Sequence, residues 1–208
     1  ISRGMANPTQ GDWGKLKRLG RYLKGNPRVV QEYNYQWSQK KMTVWTDTDY
    51  TGCVKTRKST SAGVIQLGSH LIKSWSSTQS VIALSSGEAE YYGMVKGASQ
   101  GLGVKAMMKD LGLEAEIEIS TDAEAAKGIS TRKGLGKVRH IEVNQLWLQD
   151  RVARGDIRVK KVKGTENLAD ALTKYVGSKE LQFHTKEVRL EKRDGRHREM
   201  PRLKGKEK

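Results

Sequence analysis

From Lys41 onward the chain alternates apolar and polar residues three times in quick succession, and this constrains its fold more than any other feature. Met42, Val44 and Trp45 lead to Thr46-Asp47; Gly63-Val64-Ile65-Gln66-Leu67-Gly68 follows a Gly- and Lys-rich loop over 52–60; Leu71-Ile72-Lys73-Ser74-Trp75 comes after only Ser69-His70. Period-two stretches joined by such short connections predict an antiparallel meander. A long helix is predicted from near Ser85-Ser86 to Leu111, with Gly112 as its C-terminal stop. Ile117 and Ile119 then alternate with Glu116, Glu118 and Ser120 up to Thr121-Asp122, a fourth strand. A short helix over 123–129, a basic Gly-containing loop over 131–138, a helix from about Arg139 to Ala153, a strand over 157–162 and a helical turn or two over 168–174 complete the pattern. Antiparallel strands followed by strand–helix crossovers predict an α/β fold: a mixed five-stranded sheet with helices on both faces.

With 208 residues, 36% of them apolar, the chain has room for one ordinary domain plus extensions. The expected division is 1–40, 41–177 and 178–208. Residues 12–24 carry Trp13, Leu16, Leu19 and Leu23 at helical spacing between Asp12, a candidate N-cap, and Gly25-Asn26-Pro27. From 184 to 208 Lys, Arg and Glu dominate, which predicts a tail that is disordered or forms a solvated helix. The formal charge of +16 is concentrated in the flanks: 1–40 holds 8 basic and 2 acidic residues, and 178–208 holds 11 and 6. Such a basic chain fits a polyanionic partner, either as a binder or as an enzyme with acidic residues gathered inside it. A single cysteine, Cys53, excludes an internal disulfide and a Cys-rich zinc site. No apolar run nears the roughly 20 residues of a membrane span. The start, Ile1-Ser2-Arg3-Gly4, lacks a signal-peptide core. The expected setting is intracellular, in a cytoplasmic particle or the nucleus, without a membrane partner or a small-molecule cofactor.

Four acidic residues stand at element junctions: Asp47 at the end of the first strand, Glu90 in the long helix, Asp122 after the fourth strand and Asp170 at the start of the last helical turn. Each has an ordinary explanation, since Asp favours turns and N-caps and acidic groups suit a first helical turn. Asp49 shares a strand face with Asp47, and periodicity does not separate Glu90 from Glu88, because both lie on helix stripes apolar enough to be buried. Glycines 93, 97 and 101 leave a groove on that helix, read as packing against the sheet. Gathered in one cleft, the carboxylates would suit a hard divalent cation, because Mg²⁺ takes oxygen ligands.

The motifs Trp45-Thr46-Asp47-Thr48-Asp49-Tyr50-Thr51-Gly52-Cys53, Thr56-Arg57-Lys58-Ser59-Thr60-Ser61-Ala62-Gly63, Ile72-Lys73-Ser74-Trp75-Ser76-Ser77, Ala83-Leu84-Ser85-Ser86-Gly87-Glu88-Ala89-Glu90-Tyr91, Ser120-Thr121-Asp122, Val138-Arg139-His140-Ile141-Glu142 and Asn167-Leu168-Ala169-Asp170-Ala171-Leu172-Thr173-Lys174 resemble the ribonuclease H domain of copia-type retrotransposon Pol polyproteins. The likeness spans about residues 13–176, and residues 13–25 resemble the segment that ends the adjoining reverse transcriptase. It implies a ribonuclease H-like fold over 41–177 and a reverse transcriptase tail over 1–40. It also implies a metal-dependent endoribonuclease that hydrolyses the RNA strand of RNA–DNA hybrids, with the reverse transcriptase portion of the same polyprotein as partner. The family's acidic order maps onto Asp47, Glu90, Asp122 and Asp170, choosing Glu90 over Glu88. The implied cofactor is two Mg²⁺ ions, with Mn²⁺ as a substitute: Asp47 shared between them, Asp170 on the ion that activates water, Glu90 and Asp122 on the other. Ser85 and Ser86 are expected at RNA 2′-hydroxyls, and Lys55, Arg57 and Lys58 at phosphates, where a solvated hairpin loop is an equal reading. His140 has two readings, an auxiliary role in product release and a helix cap. The chain departs from many ribonucleases H in the loop before the last Asp, where Lys163-Gly164-Thr165-Glu166 lacks their Gly-His step. Polymerase catalytic residues are absent from the sequence. The alternative reading is an inactive or co-opted remnant that binds nucleic acid without cutting.

Overall fold

The first period-two stretch becomes the centre of the sheet. In the computed structural model, which describes residues 4–134, 136, 140–141, 143–195 and 197–199, β2 (Lys41–Asp49) pairs antiparallel with β3 (Thr60–Leu67). Strand β3 pairs antiparallel with β4 (His70–Thr78), completing the meander. On its other edge β2 pairs parallel with β5 (Glu116–Thr121), and β5 pairs parallel with β6 (Ile157–Lys161). The order is β4-β3-β2-β5-β6, so the mixed five-stranded sheet expected from the sequence is present.

The connection to β5 runs through α2 (Ser86–Asp110), capped at its start by the Ser85 hydroxyl, which accepts from the Glu88 amide at 3.2 Å. It ends in a Schellman motif: the Leu113 amide donates to the Met108 carbonyl, the Gly112 amide to that of Lys109, and Gly112 takes φ +75°. The glycine groove packs against the sheet, as the sequence suggests. A Cβ built on Gly93 would sit 2.5 Å from Thr48 Oγ1, and one on Gly97 would sit 2.5 Å from Thr46 Cγ2. Met42, Val44, Ile65, Tyr91, Met94, Ile117, Ile119, Leu148 and Ile157 form the core on this face. Helices α3 (Glu124–Thr131) and α4 (Trp147–Ala153) share the face with α2. On the opposite face lies α5 (Ser178–Glu187), where Gln66 Nε2 donates to the Glu187 carbonyl at 3.2 Å.

Several expectations shift. The first helix, α1, spans Gln10–Gly25 and is capped by Thr9 rather than Asp12: Thr9 accepts from the Asp12 amide while Asp12 accepts from the Thr9 amide, a capping box. The helix expected over 139–153 begins in part on residues outside those described; a 3-10 turn over Val143–Leu146 leads into α4. The stretch 168–174 contains a 3-10 turn, Asp170–Leu172. The tail expected to be disordered or a solvated helix instead forms both a helix, α5, and a strand, β7 (Leu190–Arg193), which pairs antiparallel with β1 (Arg28–Gln31). The pairing rests on backbone hydrogen bonds, and four residues each, Arg-Val-Val-Gln in β1 and Leu-Glu-Lys-Arg in β7, do not alternate apolar with polar residues. Two units result: Tyr33–Arg189, which holds the five-stranded sheet, and Ile1–Glu32 with Leu190–Lys208. Among the described residues no helix is long and apolar enough to cross a membrane.

Candidate metal centre

Parallel pairing of β2 with β5 stops at Trp45 and Ser120, so Asp47 and Asp122 lie just beyond the last paired residues, at the carboxyl ends of two adjacent strands. Sheets of this kind place their ligand sites there, where the strand order switches direction. Strand alternation turns Asp47 away from the α2 face that Thr46 and Thr48 occupy. Glu90 reaches the same spot from the second turn of α2, because the glycine groove lets that helix lie against β2; Glu90 Oε1 accepts from the Thr48 amide at 3.3 Å. One oxygen from each of Asp47, Glu90 and Asp122 lies within 4.8 Å of the other two.

The last acid arrives on a separate support. Asn167 is buried; its Nδ2 donates to the Thr46 carbonyl at 2.9 Å and to Asp122 Oδ1 at 3.4 Å, while its Oδ1 accepts from the Ala169 amide at 3.2 Å. These bonds dock the 3-10 turn of Asp170 against the ends of β2 and β5. The Lys174 ammonium bonds Asp170 Oδ1 and lies 3.6 Å from Asp47 Oδ1, and the Thr173 hydroxyl donates to Asp47 Oδ2. Asp170 therefore sits beside Asp47 through Lys174, outside the three-carboxylate group. Sequence reasoning singled out neither Asn167, Thr173 nor Lys174, although all three stand in the motif that contains Asp170.

Electrostatics at this point oppose full ionisation. Burial, then the charges of Asp47 and Asp122, push the Glu90 carboxyl up to about 8. Burial also raises Asp47, against the lowering effect of Thr173 and Lys174. At Lys174 burial disfavours the charge, but Asp170, Asp47 and Asp122 outweigh it and the net shift is upward. Glu90 Oε2 is buried with no hydrogen-bond partner among the described residues. Carboxylates crowded together, one with an orphaned oxygen and none joined by a His or Cys ligand among the described residues, form a donor set fitted to a hard divalent cation.

The remaining candidates lie apart from the cluster. Glu88 points elsewhere: it accepts from Tyr92 Oη at 2.7 Å, from the Leu84 amide at 3.1 Å and from His140 Nε2 at 2.7 Å. His140 is thereby bound to the first turn of α2. Ser85 is exposed and serves as the α2 cap, and Ser86 is exposed beside it. Lys58 is half-buried and its Nζ donates to the Ser80 carbonyl at 2.6 Å, whereas Lys55 and Arg57 are exposed in the loop after β2. Asp49 ends β2 with its carboxylate against Gly52. An open cavity of about 410 Å³ borders the cluster, lined by Asp122, Gly164, Asp170, Lys174, Phe183 and His184 among others.

No family model matches the chain. It is similar to the retrovirus-related Pol polyprotein from transposon TNT 1-94 of Nicotiana tabacum, 29% identical over 178 residues that cover 85% of the chain and 13% of the relative. It is also similar to that from transposon RE1 of Arabidopsis thaliana, 30% identical over 84% of the chain and 12% of the relative. The chain thus spans about an eighth of these polyproteins. Among solved structures, the N-terminal RNase H domain of rv2228c from Mycobacterium tuberculosis resembles it with a TM-score of 0.46 and 17% identity, over 71% of this chain and 98% of that one.

Proposed function

With copia-type retrotransposon Pol polyproteins as its homologues over about 85% of its length and a ribonuclease H-like fold, we propose that this chain is a metal-dependent endoribonuclease that cuts the RNA strand of RNA–DNA hybrids. The observation that carries the reading is the meeting of Asp47, Glu90 and Asp122 at the carboxyl ends of β2 and β5, with a buried Glu90 oxygen left unpartnered. Asp47, Glu90, Asp122 and Asp170 are the residues that would hold the ions, Mg²⁺ or Mn²⁺. When bound, two such ions supply an activated water and stabilise the leaving 3′ oxygen.

The chain's own contribution is positioning. Strand β2 holds Asp47 on backbone paired with β3, β5 ends one residue before Asp122, α2 presses Glu90 toward them, and Asn167 docks the turn that presents Asp170. Lys55, Arg57 and Lys58 are assigned to phosphate, and Ser85 and Ser86 to the 2′-hydroxyls that distinguish an RNA strand. His140 acts from a distance, by holding its loop to Glu88. The hybrid is the substrate and the reverse transcriptase portion of the polyprotein the partner on the strength of the resemblance to Pol.

A labelled RNA–DNA hybrid incubated with the full chain and Mg²⁺ tests this. Cleavage of the RNA strand alone is expected, leaving 5′-phosphate ends, and Asp47→Asn should abolish it. A wild-type chain that binds the hybrid without cutting it, or an Asp47→Asn chain that cuts equally well, would sink the enzymatic reading and leave a nucleic-acid-binding remnant.

A further inference from the structure

One half of this site already holds a cation of the protein's own. The Lys174 ammonium bonds Asp170 and stands 3.6 Å from Asp47 Oδ1. Among the described residues no ion pair reaches Glu90 or Asp122, and Glu90 Oε2 has no partner at all. The two halves therefore differ in kind: Lys174 pairs directly with Asp170 and Asp47, while Glu90 and Asp122 meet Asp47 without an ion pair of their own among the described residues.

We propose that Lys174 is a built-in counter-cation that occupies the Asp47–Asp170 half of the site in the metal-free protein. A divalent ion then enters the Asp47–Glu90–Asp122 half directly, and the Asp170 half only by displacing the ammonium. The inference rests on the metal-site reading above. An ammonium and a divalent ion cannot share the space between the same two carboxylates: both need the same oxygens, and their like charges repel at a few ångströms. Lys174 has the means to leave, because it follows Asp170 by one helical turn and its side chain is 49% exposed on the cavity side. Its cost is selective, falling on the ion that Asp170 helps to hold. Its benefit is that the metal-free protein keeps Asp170 beside Asp47 rather than driven off by repulsion between carboxylates.

The test is Mn²⁺ binding to the full chain, followed by calorimetry and by the electron paramagnetic resonance signal of free Mn²⁺, with the metal-free melting temperature measured alongside. Wild type is expected to show a tighter and a weaker class of ion. Lys174→Met and Lys174→Gln should each tighten the weaker class by about tenfold or more, the scale of removing a unit charge a few ångströms from the ion in a partly exposed site. Both variants should tighten the tighter class by much less than the weaker one, and lower the melting temperature only without metal. Lys174→Arg, which keeps the charge, should retain the wild-type weaker class. If neutral variants leave the weaker class unchanged, or weaken both classes, or if wild type shows a single class that Lys174→Met does not alter, the proposal is overturned. A wild-type chain that binds no Mn²⁺ is a different failure, that of the metal-site reading itself.

Discussion

Asn167 links more of this site than any one carboxylate does: it bonds the end of β2, an oxygen of Asp122 and the turn that carries Asp170. Asn167→Ala strands the buried Thr46 carbonyl, and urea unfolding should register a loss of about 1–3 kcal/mol. Hybrid cleavage should fall as well although all four acids remain; unchanged cleavage would remove Asn167 from the positioning role. Glu90 supplies a second residue-level expectation. Its carboxyl is raised to about 8 in the folded, metal-free protein, against about 4.3 in an unfolded chain. The folded state thus binds this proton more tightly, and Glu90's contribution to stability is fully present below about pH 4.3 and lost as pH rises through 8. Melting of metal-free protein between these limits should show that decline, and Glu90→Gln should flatten it. Residue types alone could not have chosen between the two glutamates of α2, since both fall on stripes apolar enough to be buried. What separates them is tertiary: Glu88 finds Tyr92, His140 and a backbone amide, whereas Glu90 keeps an oxygen without any partner.

At the scale of elements, α2 acts as a rail. Its glycines set the helix against β2, and the distance between them fixes how far Glu90 stands from Asp47. Gly97→Ala would add a methyl group 2.5 Å from Thr46 Cγ2. Overpacking of this sort costs about 1–3 kcal/mol, partly offset by the roughly 1 kcal/mol that Ala gains over Gly in a helix. Net destabilisation in urea is expected, together with weaker Mn²⁺ binding as Glu90 is pushed outward; a variant as stable as wild type with unchanged binding would count against the rail. This part of the architecture was legible, because period-two strands and a small-residue helix impose their geometry through side-chain pattern. Strands β1 and β7 were not, since their pairing is a matter of backbone. Helix α5 was legible only as one of two options, a solvated helix or disorder, because its partners, Gln66 and the cavity beside the acids, are far away in sequence.

For the whole molecule the division of labour is between sheet and flanks. Residues Tyr33–Arg189 contain the five strands of the mixed sheet and every proposed ligand, while the other unit carries 15 Lys and Arg against 6 Asp and Glu. A chain trimmed to 33–189 is expected to fold and bind Mn²⁺ as the full chain does, but to hold hybrid more weakly and with a shallower dependence on salt, because fewer counterions are released. Affinity measured from 50 to 200 mM salt decides this, and identical slopes would show that the flanks do not touch the nucleic acid. Within the larger unit the support of the acids is uneven. Asp47 stands in the central strand, hydrogen-bonded on one side to β3 along its length, and opening it requires breaking the sheet. Asp170 rests on a single 3-10 turn moored by side chains, those of Asn167, Thr173 and Lys174, rather than by a strand ladder. Amide exchange should therefore be slowest through β2 and much faster over 168–174, since local opening follows the number of bonds that must break. Exchange in that order would mean that the fourth acid detaches while the other three stay in place, so that the site is partly dismantled and rebuilt without the protein unfolding.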